Sequence, residues 1–105
     1  MRLDVNLALK ALRKDGLTLA ISKGGKVIFT GRNRGVSDLF CLVKYKPEVL
    51  RGASAADKVV GKAAAILYAH SGVSEVYADN LSRGAAAVLR EAGINVQYQN
   101  MIPFV

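Results

Sequence analysis

The chain has 105 residues, a formal net charge of +7 and a single cysteine. This length suits one domain with an ordinary core, and one cysteine excludes an internal disulfide. No apolar run approaches the roughly 20 residues that cross a bilayer, so we expect one cytoplasmic domain over residues 1–105, without a membrane partner.

The first half of the chain predicts a helix, a hairpin and a second helix. Apolar residues at helical spacing follow Asp4, and paired glycines at Gly24 and Gly25 supply the positive φ values of a tight turn. In chain order we expect a helix from Asp4 to Asp15, strands over 17–22 and 27–30, and an amphipathic helix from 35 that ends before Pro47.

The second half predicts strands that alternate with helices. In chain order we expect a short small-residue strand over 52–56, a helix from Asp57 to His70, a strand over 74–78, a helix over 81–92 and a strand over 94–98. Such alternation implies parallel pairing, because each crossover covers a sheet face. The predicted fold class is therefore an α/β three-layer sandwich with a mixed five-stranded sheet, which begins with the antiparallel hairpin.

Three charged residues near the predicted start of the second-half helix are the first candidate site. Asp57, Lys58 and Lys62 interrupt a run of small residues, and a helix N-terminus attracts anions and disfavours cations. In this interpretation Lys58 and Lys62 lie on one helix face, with Gly61 between them, and bind a small anionic or nucleotide-like ligand together with Asp57. The alternatives are a capping box between Ser54 and Asp57, and lysines that form salt bridges or subunit contacts or only solvate the surface.

A second helix start lies at the same predicted edge of the sheet. Ser82 and Arg83 stand near it, and they could complete an anion pocket. The alternative is that Asn80 or Ser82 caps the helix.

The segment from Lys23 to Arg51 holds seven basic residues against two acidic ones, a net charge of +5. Binding of nucleic acid through this segment, with Tyr45 available for stacking, is an alternative function. A third alternative is an oligomerisation module, because alanine-rich helices pack well against partner subunits.

Several short stretches resemble a prokaryotic family of unknown function with a cytidine-deaminase-like fold. They are Leu17-Thr-Leu19, Gly25-Lys-Val-Ile28, Ala56-Asp-Lys-Val-Val-Gly-Lys-Ala-Ala-Ala65, Val76-Tyr-Ala78 and Glu91-Ala-Gly-Ile94. The resemblance implies the deaminase-like fold, and also a further cysteine-containing segment that family members carry beyond the position of Ile102-Pro103, which we expect this domain to lack.

The zinc motifs of deaminases are missing from this sequence. Such enzymes hold zinc with His or Cys and a Pro-Cys-x-x-Cys pair, whereas this chain has one histidine and one cysteine. We therefore expect no metal site and no cofactor, and the resemblance implies a fold rather than a zinc-dependent deamination.

Overall fold

Helices and strands follow one another largely in the predicted order. The computed structural model describes residues 3–104, apart from the side chain of Asp15. Its elements are α1 (Leu3–Asp15), β1 (Leu19–Lys23), β2 (Lys26–Gly31), α2 (Ser37–Tyr45), α3 (Pro47–Leu50), β3 (Ser54–Val60), α4 (Lys62–Ser71), β4 (Glu75–Ser82), α5 (Arg83–Glu91) and β5 (Asn95–Ile102). Only α3 has no counterpart in the sequence prediction. None of these helices is long and apolar enough to cross a membrane.

The strands form one mixed sheet in the order β2-β1-β3-β4-β5. Strand β1 pairs antiparallel with both β2 and β3, whereas β3, β4 and β5 are parallel to one another. Gly24 and Gly25 take φ values of 63° and 84° in the hairpin turn, as the paired glycines predict. The predicted mixed five-stranded sheet is confirmed.

Helices cover both faces of the sheet, which confirms the three-layer architecture. On one face, buried residues of α1 such as Ala8 and Leu12 pack against Ala20, Ala56 and Tyr77 of the central strands. The opposite face carries the larger core, to which α2, α4 and α5 contribute. The carboxyl ends of β3 and β4 and the starts of α4 and α5 therefore meet at one edge of the sheet.

The predicted helix from Asp57 to His70 is wrong at its start. Asp57 and Lys58 belong to β3, and α4 begins only at Lys62. The alanines of β3 favour a helix when read alone, but β3 is a central strand with helices on both faces. Ala55 and Ala56 are fully buried on opposite faces, where larger side chains would not leave room for the helices. Packing has thus overridden helix propensity.

The capping-box alternative is wrong for the same reason. Ser54 and Asp57 are three positions apart on a strand and therefore project to opposite faces. Gly61 is the N-cap residue of α4, with φ −95° and ψ −176°, and not a mid-helix glycine between two lysines. Lys58 and Lys62 consequently share no helix face, although the predicted stop at Gly72 is confirmed by its left-handed conformation.

The last two strands are longer than the sequence predicts. The sequence predicts a strand that ends at 78 and a helix that begins at 81, whereas β4 continues as far as Ser82 and α5 begins at Arg83. Strand β5 likewise runs on to Ile102. These extensions pair with each other, with Ser82 opposite Ile102. Asn and Asp residues in this stretch are typical of loops, but the hydrogen bonds between β4 and β5 keep the backbone extended.

Candidate functional site

A cleft of about 770 Å³ opens where β3 ends and α4 begins. Its floor and walls come from the loop after α1, the loop between β2 and α2, the end of β3 and the first turn of α4. The residues that line it are Gly16, Thr18, Asn33, Arg34, Gly35, Val36, Asp57, Lys58, Val59, Gly61, Lys62, Ala63 and Ala64. Asp57, Lys58 and Lys62 thus line one cleft, although only Lys62 belongs to a helix.

The carboxyl group of Asp57 is the buried polar group of this cleft. Its Oδ2 accepts a hydrogen bond of 2.7 Å from the hydroxyl of Tyr68, which projects from α4, and its Oδ1 accepts a longer contact of 3.4 Å from the amide of Val59. Burial raises the pKa of Asp57 from an ordinary value of 3.8 to about 7, while the hydrogen bonds from Tyr68 and from backbone amides oppose that rise. Asp57 can therefore gain or lose a proton near neutral pH.

Tyr68 is fully buried, and its environment keeps it a hydrogen-bond donor. Burial, followed by the nearby Asp57 carboxylate, raises the pKa of Tyr68 above its ordinary value. The phenol is therefore protonated throughout the pH range in which Asp57 titrates. Sequence reasoning did not identify Tyr68, because an aromatic residue within an apolar helix carries no signal that distinguishes a site from a core.

Three cationic residues from different elements line the same cleft as this carboxyl group. Lys58 lies on β3, Lys62 is the first residue of α4 and Arg34 lies on the loop between β2 and α2. The N-cap residue of α4 is Gly61, which has no side chain with which to cap the first amides of this helix. The cleft therefore combines positive side chains with the positive end of a helix.

Hydrogen bonds fix the loop that carries Arg34. The hydroxyl of Thr18 donates to the carbonyl oxygen of Asn33 at 2.8 Å. Asp38, in the first turn of α2, accepts from the side-chain amide of Asn33 at 2.7 Å and from its backbone amide at 3.2 Å. The amide of Lys58 in turn donates to the carbonyl oxygen of Thr18 at 3.1 Å, so these bonds join the loop to β3.

A substitution at Gly31 tests how firmly this loop is held. A methyl group at Gly31 would overlap the Asp38 carboxylate, with only 2.8 Å between the new carbon and Cγ. We expect Gly31→Ala to displace Asp38 from Asn33 and to lower the free energy of unfolding by about 1–2 kcal/mol, since two hydrogen bonds are lost. Urea denaturation measures this change.

Two further variants complete the Gly31 experiment. Gly84→Ala is the matched control, because its methyl group would lie 3.7 Å from Cδ of Lys62, an ordinary contact. In an Asp38→Ala background, Gly31→Ala should cost little, because the overlapping carboxylate is gone. An equal cost of Gly31→Ala in both backgrounds would contradict this account of the loop.

Ser82 and Arg83 lie beside the cleft and do not line it. The Ser82 hydroxyl accepts from the amide of Ala85 at 3.0 Å, so Ser82 is the N-cap of α5, as the capping alternative predicts. Arg83 is the first residue of α5 and is exposed. The closeness of Gly84 to the stem of Lys62 shows that the starts of α4 and α5 adjoin each other.

Basic residues of the segment from Lys23 to Arg51 have different surroundings. The Lys23 ammonium donates to the carbonyl oxygens of Glu48 and Arg51, at 2.6 and 2.9 Å, and so ties the hairpin to α3. Arg34 is one of the residues that line the cleft. Lys44 lies 5.2 Å from the ring centre of the exposed Tyr45.

A second polar cluster lies on the α1 face of the sheet. Arg13 forms an ion pair of 2.9 Å with Asp79 and donates to the hydroxyl of Tyr77 at 2.7 Å. Tyr77 also donates to Asp79 at 3.1 Å. These contacts hold the end of α1 against β4, and each of the three side chains finds polar partners within the cluster.

Within residues 3–104, no three His, Cys, Asp or Glu side chains lie close enough together to hold a metal ion. That the protein binds no metal is still a prediction from the sequence.

Comparison with known proteins places the chain in a family. The family model of a domain of unknown function, DUF1893, matches residues 7–105. A solved DUF1893 family protein from Thermotoga maritima is 33% identical with a TM-score of 0.85, over 95% of this chain and 69% of that protein. No match is found among curated proteins.

A more distant solved structure shares the fold. It is a diaminohydroxyphosphoribosylaminopyrimidine deaminase/5-amino-6-(5-phosphoribosylamino)uracil reductase, also from Thermotoga maritima. It is 20% identical with a TM-score of 0.58, over 91% of this chain and 34% of that protein. Together with the family match, this resemblance shows that the chain belongs to the DUF1893 family of domains of unknown function and has a deaminase-like α/β fold.

Proposed function

We propose that this domain binds a small anionic ligand of nucleotide-like chemistry in the cleft between β3 and α4. The observation that carries the proposal is the convergence of Arg34, Lys58 and Lys62, from three separate elements, on one cleft. Cations that solvate a surface at random have no reason to line the same concavity. An anionic group within the cleft would offset their mutual repulsion.

The size and lining of the cleft support a ligand with a ring as well as an anionic group. A volume of about 770 Å³ falls within the roughly 300–1,000 Å³ that is typical of small-molecule sites. Val36, Val59, Ala63 and Ala64 supply apolar walls. A planar ring would pack against these walls, while a phosphate would lie near the cations and the start of α4.

Ser82 and Arg83 contribute less to the proposed binding site than the residues that line the cleft. The Ser82 hydroxyl already caps α5. Arg83 is exposed at the start of α5, where the following residue, Gly84, adjoins the stem of Lys62. An extended anionic group that leaves the cleft on this side would approach the Arg83 guanidinium.

A thermal-shift screen of phosphates, nucleosides and nucleotides tests the proposal on the whole chain. A ligand at a hundred times its dissociation constant should stabilise the protein by about 2.7 kcal/mol. We expect Lys58→Ala and Lys62→Ala to weaken the binding of such a ligand about tenfold each, because each removes a charge-assisted hydrogen bond. Isothermal titration of the strongest ligand measures the affinities.

Lys26→Ala is the matched control, since Lys26 is an exposed lysine at the hairpin and lies outside the cleft. It should bind the ligand as the wild type does. The proposal fails if no member of a broad anion set stabilises the wild type, or if all three lysine variants keep its affinity.

Nucleic-acid binding through the segment Lys23–Arg51 and a role in oligomerisation remain the alternatives from the sequence. Oligonucleotide binding that falls steeply with salt, and that depends on Lys44 and Lys46 but not on Lys58, would favour the first. A dimer in solution whose stability is unaffected by small anions would favour the second.

A further inference from the structure

The Asp57 carboxylate keeps unused capacity to accept hydrogen bonds at the floor of the cleft. An ionised carboxylate offers about four acceptor positions. In the structure, one strong bond from Tyr68 reaches Oδ2, and a contact of 3.4 Å from the Val59 amide reaches Oδ1. The Lys58 amide also lowers the pKa of Asp57, but it donates its hydrogen bond of 3.1 Å to the carbonyl oxygen of Thr18. A ligand that enters the cleft therefore meets an acceptor and needs donors of its own.

The surroundings of Asp57 make this requirement selective. Within the part of the chain that the structure describes, an ion pair joins Arg13 to Asp79 on the other face of the sheet, and Asp57 forms none. An acceptor atom of a ligand placed against Asp57 would be left buried without a partner, which is costly. A pair of N–H groups on the ligand would instead satisfy the carboxylate.

We infer that Asp57 is the specificity-determining residue of this cleft, and that it selects anionic ligands whose ring presents adjacent N–H donors, the chemistry of a guanine nucleotide. The inference rests on the proposed function, since the cations of the cleft supply the common affinity for the anionic group. Guanine offers a ring N–H beside an exocyclic amino group. Hypoxanthine has the ring N–H but lacks the amino group, so the two bases isolate the contribution of the second donor.

The protonation of Asp57 gives this selectivity its own pH dependence. Because donors favour the ionised carboxylate, the preference for guanine should increase as the pH rises through the pKa of about 7. The ratio of two nucleotide affinities isolates this effect, since ionisation of the phosphate is common to both ligands. The charged and titratable groups that face Asp57 or share its cleft are Arg34, Lys58, Lys62, Tyr68 and, through space, Asp79.

Titration calorimetry with GMP and IMP, at about pH 8, tests the inference on the whole chain. The wild type should bind GMP at least about tenfold more tightly than IMP, the effect of one hydrogen bond to a charged acceptor. Asp57→Asn should bind both nucleotides with similar affinities, because the amide replaces one of the two acceptor oxygens by an NH2 group, which cannot accept the second N–H donor. Lys58→Ala should weaken both nucleotides by the same factor and keep the preference for GMP.

The outcomes separate this inference from the proposed function. Equal affinities of the wild type for GMP and IMP, or a preference for GMP that survives in a folded Asp57→Asn protein, overturn the inference but leave an anion site intact. If neither GMP, IMP nor inorganic phosphate binds the wild type, the proposed function fails and the inference fails with it. Thermal denaturation of each variant establishes that it is folded.

Discussion

Replacing Asp57 by Asn should make the protein more stable than the wild type above neutral pH. The buried carboxyl has a pKa of about 7 in the folded protein, against an ordinary value of 3.8. Between these values the folded state holds a proton that the unfolded chain has released, so the free energy of unfolding falls as the pH rises to about 7 and is then constant. The full effect on stability is on the order of 4 kcal/mol.

The difference between the two proteins should therefore grow with pH. We expect the free energy of unfolding of Asp57→Asn, minus that of the wild type, to increase by about 2–3 kcal/mol between about pH 5 and about pH 8. Urea denaturation at several pH values measures this difference. Asp79→Asn is the control, because it leaves Asp57 in place and removes only the smallest influence on the pKa of Asp57. It should therefore keep most of the wild-type fall in stability between the two pKa values. Parallel stability curves for Asp57→Asn and the wild type would contradict the raised pKa.

This expected gain in stability bears on function. Ionisation of the buried Asp57 carboxyl lowers the stability of the folded protein, and an asparagine would avoid this loss. Stability therefore does not explain why an aspartate occupies this position. Its position in a cleft with Arg34, Lys58 and Lys62 gives a reason for its presence there. The same substitution should thus stabilise the protein and remove the selectivity of the cleft, a combination that a purely structural aspartate would not show.

The sequence predicts the fold better than it predicts the site. Periodicity and glycine stops give the hairpin, the order of helices and strands and the mixed sheet, because these signals are local. The start of α4 is misplaced because Ala55 and Ala56 carry a helix signal, and only their burial on both faces of the sheet makes them a strand.

The candidate site could be predicted only in part. Asp57, Lys58 and Lys62 are conspicuous as charges within a run of small residues, and they do line one cleft. Tyr68 and Arg34 come from elements whose contact with β3 depends on the tertiary fold, so no local pattern connects them to Asp57. Tyr68 is eleven positions away from Asp57, yet its hydroxyl makes the short hydrogen bond that the carboxyl receives from a side chain.

Removal of the Tyr68 hydroxyl should have the second large effect. In Tyr68→Phe the buried carboxylate loses its side-chain donor, so at about pH 8 the free energy of unfolding should fall by about 1–3 kcal/mol. The pKa of Asp57 should rise further, because the hydrogen bond from Tyr68 is the main influence that lowers it. The stability of this variant should therefore continue to fall above pH 7, where that of the wild type is constant.

A double-mutant cycle with Asp57→Asn separates this coupling from the packing of the ring. The phenyl ring of Tyr68→Phe keeps its place in the core, so the cost of the substitution should shrink by about 1 kcal/mol or more when residue 57 carries no charge. Tyr77→Phe is the matched control, because the Tyr77 hydroxyl contacts Arg13 and Asp79 on the other face and should show no coupling to Asp57. If Tyr68→Phe costs the same in both backgrounds, the hydroxyl does not hold the carboxylate. In that case the pKa of Asp57 would be raised by burial alone, with no opposing hydrogen bond from Tyr68. The floor of the cleft would then be less ordered than the 2.7 Å hydrogen bond indicates.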